Sequence, residues 1–448
     1  MRFVDTLKNI WSIPELRQRL LVTLGLVFVY RLGCYVVLPG ISPAEIDALA
    51  NFTNKSGLMQ LLDMFSGGAF SQASVFALGI MPYITASIVI QLCGMILPSF
   101  QKLQREGESG RQKLNQYTRY LTVLILVLQA PAYLINLEVQ VANAGVSTMA
   151  LGFWKIAYLT LILAAGAMFI LWLGERITDR GIGNGISFII LVGIIARLLP
   201  SLGVELQTRM PGTATGQGGL VMFIVECVML FAVTVGAVLL VQGTRKVPVQ
   251  YAKRIIGNRQ YGGQRQYIPL KVNAAGVMPI IFAQAIMFIP MTLSGFSGGE
   301  GGFMRAFTDI NSFWYNLLFF LMIVAFTYFY TAITVRPTQM AEDMKRNNGF
   351  IPGVKPGKKT AEYIDAIMSR ITLPGSIFLG IVAIMPAFAR FFGVSQNFAQ
   401  FFGGTSLLIM VGVVLDTLQQ IEAHLNMHHY DGLMKEGRIK GRTTGSAY

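Results

Sequence analysis

Apolar residues gather along this chain into ten blocks, at about 20–38, 76–98, 118–137, 153–173, 185–200, 220–242, 273–293, 313–334, 371–388 and 403–421, bounded by charges, glycine or proline. A helix needs roughly 17 to 25 apolar residues to cross a hydrocarbon core. Backbone facing lipid must satisfy its own hydrogen bonds, which leaves helices or a closed barrel, and a barrel would show short alternating segments instead. The pattern predicts an all-α polytopic membrane protein with ten transmembrane helices. Composition agrees: 53% of the 448 residues are hydrophobic and 13% are charged, where soluble chains carry about 25% charged residues. The opening MRFVDTLKNIWSIPELRQRL, with scattered charges and Pro14, does not fit a cleavable signal peptide, so the first block is expected to be a retained span.

An even number of spans puts both termini on one side, and lysine and arginine say which. Four basic residues precede the first block, five lie between blocks two and three, and two follow block four. Seven lie in the 243–271 loop, seven in the 335–370 loop and four in the tail, together 29 of 36. Positive loops stay in the cytoplasm, so both termini are expected there. The two seven-charge loops are more basic than orientation requires. They interleave Tyr, Gly and Pro, which suits docking to an acidic partner, RNA or protein, as well as attraction to anionic headgroups.

Several chemistries find little material. Coupled transporters need ionisable groups near mid-membrane, and here Arg31 and Asp416 sit toward block ends while Glu226 lies about two turns into block six. None has an evident intramembrane partner in the sequence. Cys34, Cys93 and Cys227 fall in apolar blocks without metal-ligand spacing, and His424, His428 and His429 cluster in the tail as ordinary solvated residues. Gly181-Ile182-Gly183-Asn184-Gly185 has the look of a phosphate loop. It joins two apolar blocks, however, so a tight turn is the better reading. No nucleophile, base or metal constellation suggests an enzyme, and no cofactor is expected.

Five segments carry a resemblance to one family: LLDMFSGGAFSQASVFALGIMPYITASIVIQL (61–92), EGESGRQKLNQYTRY (106–120), WLGERITDRGIGNGIS (172–187), PLKVNAAGVMP (269–279) and FFGGTSLLI (401–409). Long, ordered and spread over nearly the whole chain, they resemble the SecY family. That resemblance implies a protein-conducting channel of the bacterial cytoplasmic membrane, passing unfolded secretory polypeptides across and releasing apolar segments sideways into lipid. It implies two pseudo-symmetric halves, 1–200 and 201–448, around a central pore, and the partners SecE, SecG, SecA and the ribosome. An ion-coupled secondary transporter of similar span count is the alternative.

Residue roles follow from the same resemblance. The stretch Leu58–Ala73 is too polar and glycine-rich to span lipid; the resemblance makes it a plug, with Asp63, Met64, Phe65, Ser66, Gly67 and Gly68 at its centre. A pore ring is expected from Ile80, Ile84, Ile186, Ile190, Ile281 and Ile409. The pairs Ile80/Ile84 and Ile186/Ile190 each share a helix face, and an apolar constriction excludes ions by dewetting. Blocks two and seven become the lips of a lateral gate, with Thr85, Gln91, Asn273, Gly276 and Pro279 in or beside them; Gly276 and Pro279 are expected to let block seven bend. Partner docking is expected at Lys253, Arg254, Arg259 and Lys355. Two departures stand out. The family's usual G-x-R-P-G turn reads Gly353-Val354-Lys355-Pro356-Gly357, a point charge for a planar fork. Gly257 is followed by Asn258 and Arg259 where two basic residues are usual.

Overall fold

The computed structural model describes residues 11, 13–55, 60, 63–143, 152–210, 219–251, 254–256, 259–261, 265–284, 286–287 and 312–435. They divide into two compact units, one built from residues up to 55, 62–197 and 413 onward, the other from 56–61 and 198–412.

The first unit holds α1 (Pro14–Gly33), α2 (Pro43–Lys55), α3 (Met81–Ile96), α4 (Pro98–Arg105), α5 (Glu108–Asn143), α6 (Phe153–Arg180) and the part of α7 (Gly185–Arg209) up to Arg197. α3 and α4 form a bent pair at 102°. Pro98 explains the corner, because a residue before proline is pushed out of the helical region, and Leu97 is extended at φ −95°, ψ 120°. The glycine run is the tight turn expected. Gly183 takes φ +82°, the Asn184 side chain accepts from the Ile186 N–H at 3.2 Å, and a Cβ at Gly185 would lie 1.9 Å from the Gly174 carbonyl of α6. Only glycine lets α6 and α7 approach so closely at this corner.

The second unit holds the rest of α7, α8 (Gly219–Gln242), α9 (Phe313–Thr334), α10 (Pro337–Arg346), α11 (Lys358–Phe391) and α12 (Gln396–Ala399), a 3₁₀ turn at Gln400–Phe402, and the start of α13 (Gly404–Lys435). α9 packs along α11, where Gly380 makes room for the Phe320 ring. The basic loop after α8 is a β structure, which the hydropathy pattern did not give. β1 (Thr244–Tyr251) pairs antiparallel with β4 (Arg265–Lys271) and with β5 (Gly349–Phe350), while β2 (Arg254–Ile256) and β3 (Arg259–Tyr261) form a separate hairpin.

Seven described helices are long and apolar enough to cross a membrane, and the bent α3–α4 pair makes an eighth candidate. α1 occupies the first expected span but carries Glu15, Arg17, Arg19 and Arg31. Of the seventh span, residues 278–284 are helical, while 285 and 288–293 lie outside the described residues.

Candidate functional site

The stretch from Asp63 to Ile80 is a run of turns after one short helical piece at 63–65, and it lies buried among the helices of the first unit. Buried non-helical backbone must have its polar groups met by protein. Side chains from three helices do this. The Tyr30 hydroxyl of α1 donates to the Ser66 carbonyl at 3.2 Å, Arg31 Nη1 to the Gly67 carbonyl at 2.8 Å, and the Tyr133 hydroxyl of α5 to the Phe70 carbonyl at 3.1 Å. From α7, Arg197 Nη2 pairs with the Asp63 carboxylate and donates to Ser71 Oγ at 2.7 Å. Asp63 also ties the segment to itself, its Oδ1 accepting from the Ser71 N–H at 2.8 Å. Burial pushes the Asp63 carboxyl above the usual carboxylate range, and the Arg197 guanidinium and Ser71 oppose that shift.

The glycines are required here by contact as well as conformation. Gly67 and Gly68 take φ +67° and +95°. A Cβ on Gly67 would sit 2.9 Å from Arg31 Nη1 and from the Gly193 Cα of α7, and one on Gly68 would sit 3.1 Å from Arg197 Nε. Bare backbone lets both guanidiniums and α7 close on the segment. Its far end is clipped to the chain after α1, through Leu38 N–H to the Ala73 carbonyl at 3.0 Å and Val75 N–H to the Val36 carbonyl at 2.9 Å. Met64 and Phe65 are buried with it. Tyr30, Arg31, Tyr133 and Arg197 were not legible as parts of this seat, since each sits in an apolar block 30 or more residues away in sequence.

Of the isoleucines expected in the ring, Ile80 caps the start of α3 and is buried, Ile84 is half-buried one turn on, and Ile186 and Ile190 lie one turn apart on α7. Ile281 and Ile409 belong to the second unit, on the helical stretch 278–284 and in the first turns of α13. Among the residues expected at the gate, Thr85 Oγ1 donates to the Met81 carbonyl at 3.0 Å and Gln91 Nε2 to Ser87 Oγ at 3.3 Å, both within α3. Asn273 is buried with Oδ1 lacking a hydrogen-bond partner among the described residues. Gly276 takes φ +62° in the turn before the helical stretch, and Pro279 falls in its first turn. These two residues therefore set where the helix begins rather than bending its middle, because a left-handed residue stops a helix and proline is tolerated at its start.

The basic loops are displayed by a small hydrophobic core. Val247, Val249, Leu270, Met344, Ile351, Ile364 and Met368 pack together, and strand alternation turns Lys246 and Pro248 outward as Val247 and Val249 turn in. Arg254 and Arg259 lie on the β2–β3 hairpin, Lys355 is exposed, and Lys253 lies outside the described residues.

One expectation needs correction. Glu226 does have a partner: Arg209, at the end of α7, bonds Glu226 Oε1 through Nη2 at 2.6 Å and Glu205 Oε1 through Nε at 3.1 Å. Nη2 also donates to the Gly393 carbonyl at 2.8 Å, and the Ser395 N–H donates to Glu205 Oε2 at 3.2 Å. All three charged residues are at most 5% exposed. The sequence hid this cluster because Arg209 and Glu205 lie past the hydrophobic block, where they read as a polar loop.

A family model described as SecY matches residues 74–418. The protein translocase subunit SecY of Chlamydia muridarum is 40% identical over 98% of this chain and 99% of its own length. Among solved structures, a protein-conducting channel superposes with a TM-score of 0.60 at 15% identity, covering 94% of this chain and 97% of its own. Canine Sec61, from a ribosome–channel complex of the endoplasmic reticulum, does so at 0.56 and 15%, with the same coverage. The ten-helix, all-α membrane architecture expected from the hydropathy pattern fits these neighbours. With a family model covering most of the chain and a relative matching it end to end, this polytopic membrane protein belongs to the SecY family.

Proposed function

We propose that this chain forms the polypeptide path of a protein translocation channel in a bacterial cytoplasmic membrane, moving unfolded secretory chains across and releasing apolar segments sideways into lipid. The observation that carries this is the seat at Asp63–Ala73. A largely non-helical segment, bonded within itself through Asp63, Ser66 and Ser71, is held inside a helical unit by four side chains from three helices. Such a segment can leave as a piece, which suits a plug. Ile80, Ile84, Ile186, Ile190, Ile281 and Ile409 form the apolar collar of the same path, stiff at the first torsion and free of charge, so that it sheds water when empty. α3 and the segment beginning at Asn273 are the lips of the lateral gate, with Thr85, Gln91, Gly276 and Pro279.

Both termini and the β1–β4 loops face the cytoplasm in this reading, as the lysine and arginine bias requires. The exposed bases of these loops, with Lys253, Arg254, Arg259 and Lys355, dock the ribosome or the ATPase SecA, while SecE and SecG flank the membrane helices. The two pseudo-symmetric halves are 1–200 and 201–448. The chain itself performs no covalent chemistry. The ion-coupled transporter draws no support, because Glu226, its best-placed carboxylate, is already held by Arg209. The decisive experiment is reconstitution into vesicles with SecE- and SecA-type subunits and an unfolded secretory polypeptide carrying ATP-driven import as readout. Protease-protected polypeptide in the lumen is expected; its absence, with insertion and subunit assembly intact, overturns the proposal.

A further inference from the structure

Four positions of α7 stand in one line: Ile186, Ile190, Gly193 and Arg197, at spacings of four, three and four residues. At 3.6 residues per turn these share one face. The first two belong to the proposed collar. The last two touch the proposed plug, Gly193 by close backbone approach, where a Cβ would meet Gly67 N at 3.2 Å and the Phe65 carbonyl at 3.3 Å, and Arg197 by its bonds to Asp63 and Ser71. Of the polar side chains α1, α5 and α7 bring to the segment, Arg197 alone meets a charged acceptor; Tyr30, Arg31 and Tyr133 meet neutral carbonyls.

We propose that Arg197 is a latch residue, tying Asp63 and Ser71 of the plug to the collar-bearing face of α7, so that displacing that face and releasing the plug are one event. The proposal rests on the reading of this segment as the seal. Two features suit a latch that must also open. Arg197 Nε is buried without a hydrogen-bond partner among the described residues, so the clasp is incompletely satisfied. Pro200 lies three residues on inside α7 and cannot supply the N–H that the Ala196 carbonyl would otherwise receive, which softens the helix beside Arg197.

The test is ion conductance of the full-length chain, purified as its native complex, in planar bilayers at equal protein. Charge-assisted hydrogen bonds of this kind shift an equilibrium by about 10- to 100-fold, so R197A and D63N should each raise resting conductance events on that order. R197K, which keeps the charge, should recover part of the seal, and R31A, whose contact with the segment is to a neutral carbonyl and whose other contacts are to Tyr35, should leak less than R197A. D63N and R197A combined should leak no more than R197A alone, because both remove one interaction. A deletion of 63–71 is measured alongside. If the deletion leaks while R197A and D63N stay at wild-type conductance, the latch is wrong and the plug stands; if the deletion itself does not leak, the plug reading fails. Lower abundance of R197A without added conductance per molecule would make Arg197 a packing residue and overturn the latch.

Discussion

Removing Arg209 is the sharpest perturbation of the second unit, because the residue sits 5% exposed between two carboxylates that are 1% and 2% exposed. In R209M the Glu205 and Glu226 oxygens lose bonds of 3.1 and 2.6 Å, and the Gly393 carbonyl loses one of 2.8 Å. Two buried carboxylates then face each other without a counter-charge. Breaking a buried ion pair from one side costs about 3–5 kcal/mol, a shift of roughly two to nearly four powers of ten in the unfolding equilibrium at about 1.4 kcal/mol per tenfold. R209K should fall between, since an ammonium keeps the charge but lacks the planar fork that reaches both carboxylates at once. The triple variant E205Q/R209M/E226Q removes every charge and should lose far less than R209M, because desolvated ions are absent from the folded state. The assay is reversible denaturant unfolding in mixed micelles at fixed detergent composition, followed by tryptophan fluorescence. A wild-type midpoint for R209M would refute the reasoning. So would a triple variant as unstable as the single one, which would assign the loss to packing instead of charge.

Replacing Ile84, Ile190, Ile281 or Ile409 by Ser or Gly should remove apolar bulk from the collar and favour its wetting, so single-channel conductance should rise while insertion persists; unchanged conductance in all four sinks the collar. Reversing the charge at Arg254 and Arg259 should weaken binding of ribosomes or SecA at low salt, and wild-type binding should decline as salt rises; unaltered affinity for both partners leaves the loops with lipid headgroups alone. Cysteines placed in the 243–271 and 335–370 loops should resist an impermeant thiol reagent applied to intact cells, whereas K55C should react, and labelling of the former would invert the topology.

Hydropathy by itself determined that this is a multi-spanning helical protein, because crossing lipid forces about twenty apolar residues per helix, and the loop charges supply the proposed orientation. Both are local properties, written where they act. The Gly181–Gly185 turn was legible for the same reason, glycine being needed wherever backbone must turn sharply. Other features depended on residues far apart in sequence. Only the tertiary structure brought Arg197 to Asp63 across 134 positions and Arg31 to Gly67 across 36, and only it closed Arg209 over Glu205 and Glu226. A buried charge is tolerable only beside its partner, and no periodicity or composition says which distant partner that is. The basic loop's strands were hidden for a related reason: β1 is held by pairing with β4 and β5 and by the Val247–Met368 core, contacts that exist only once α10 and α11 are in place.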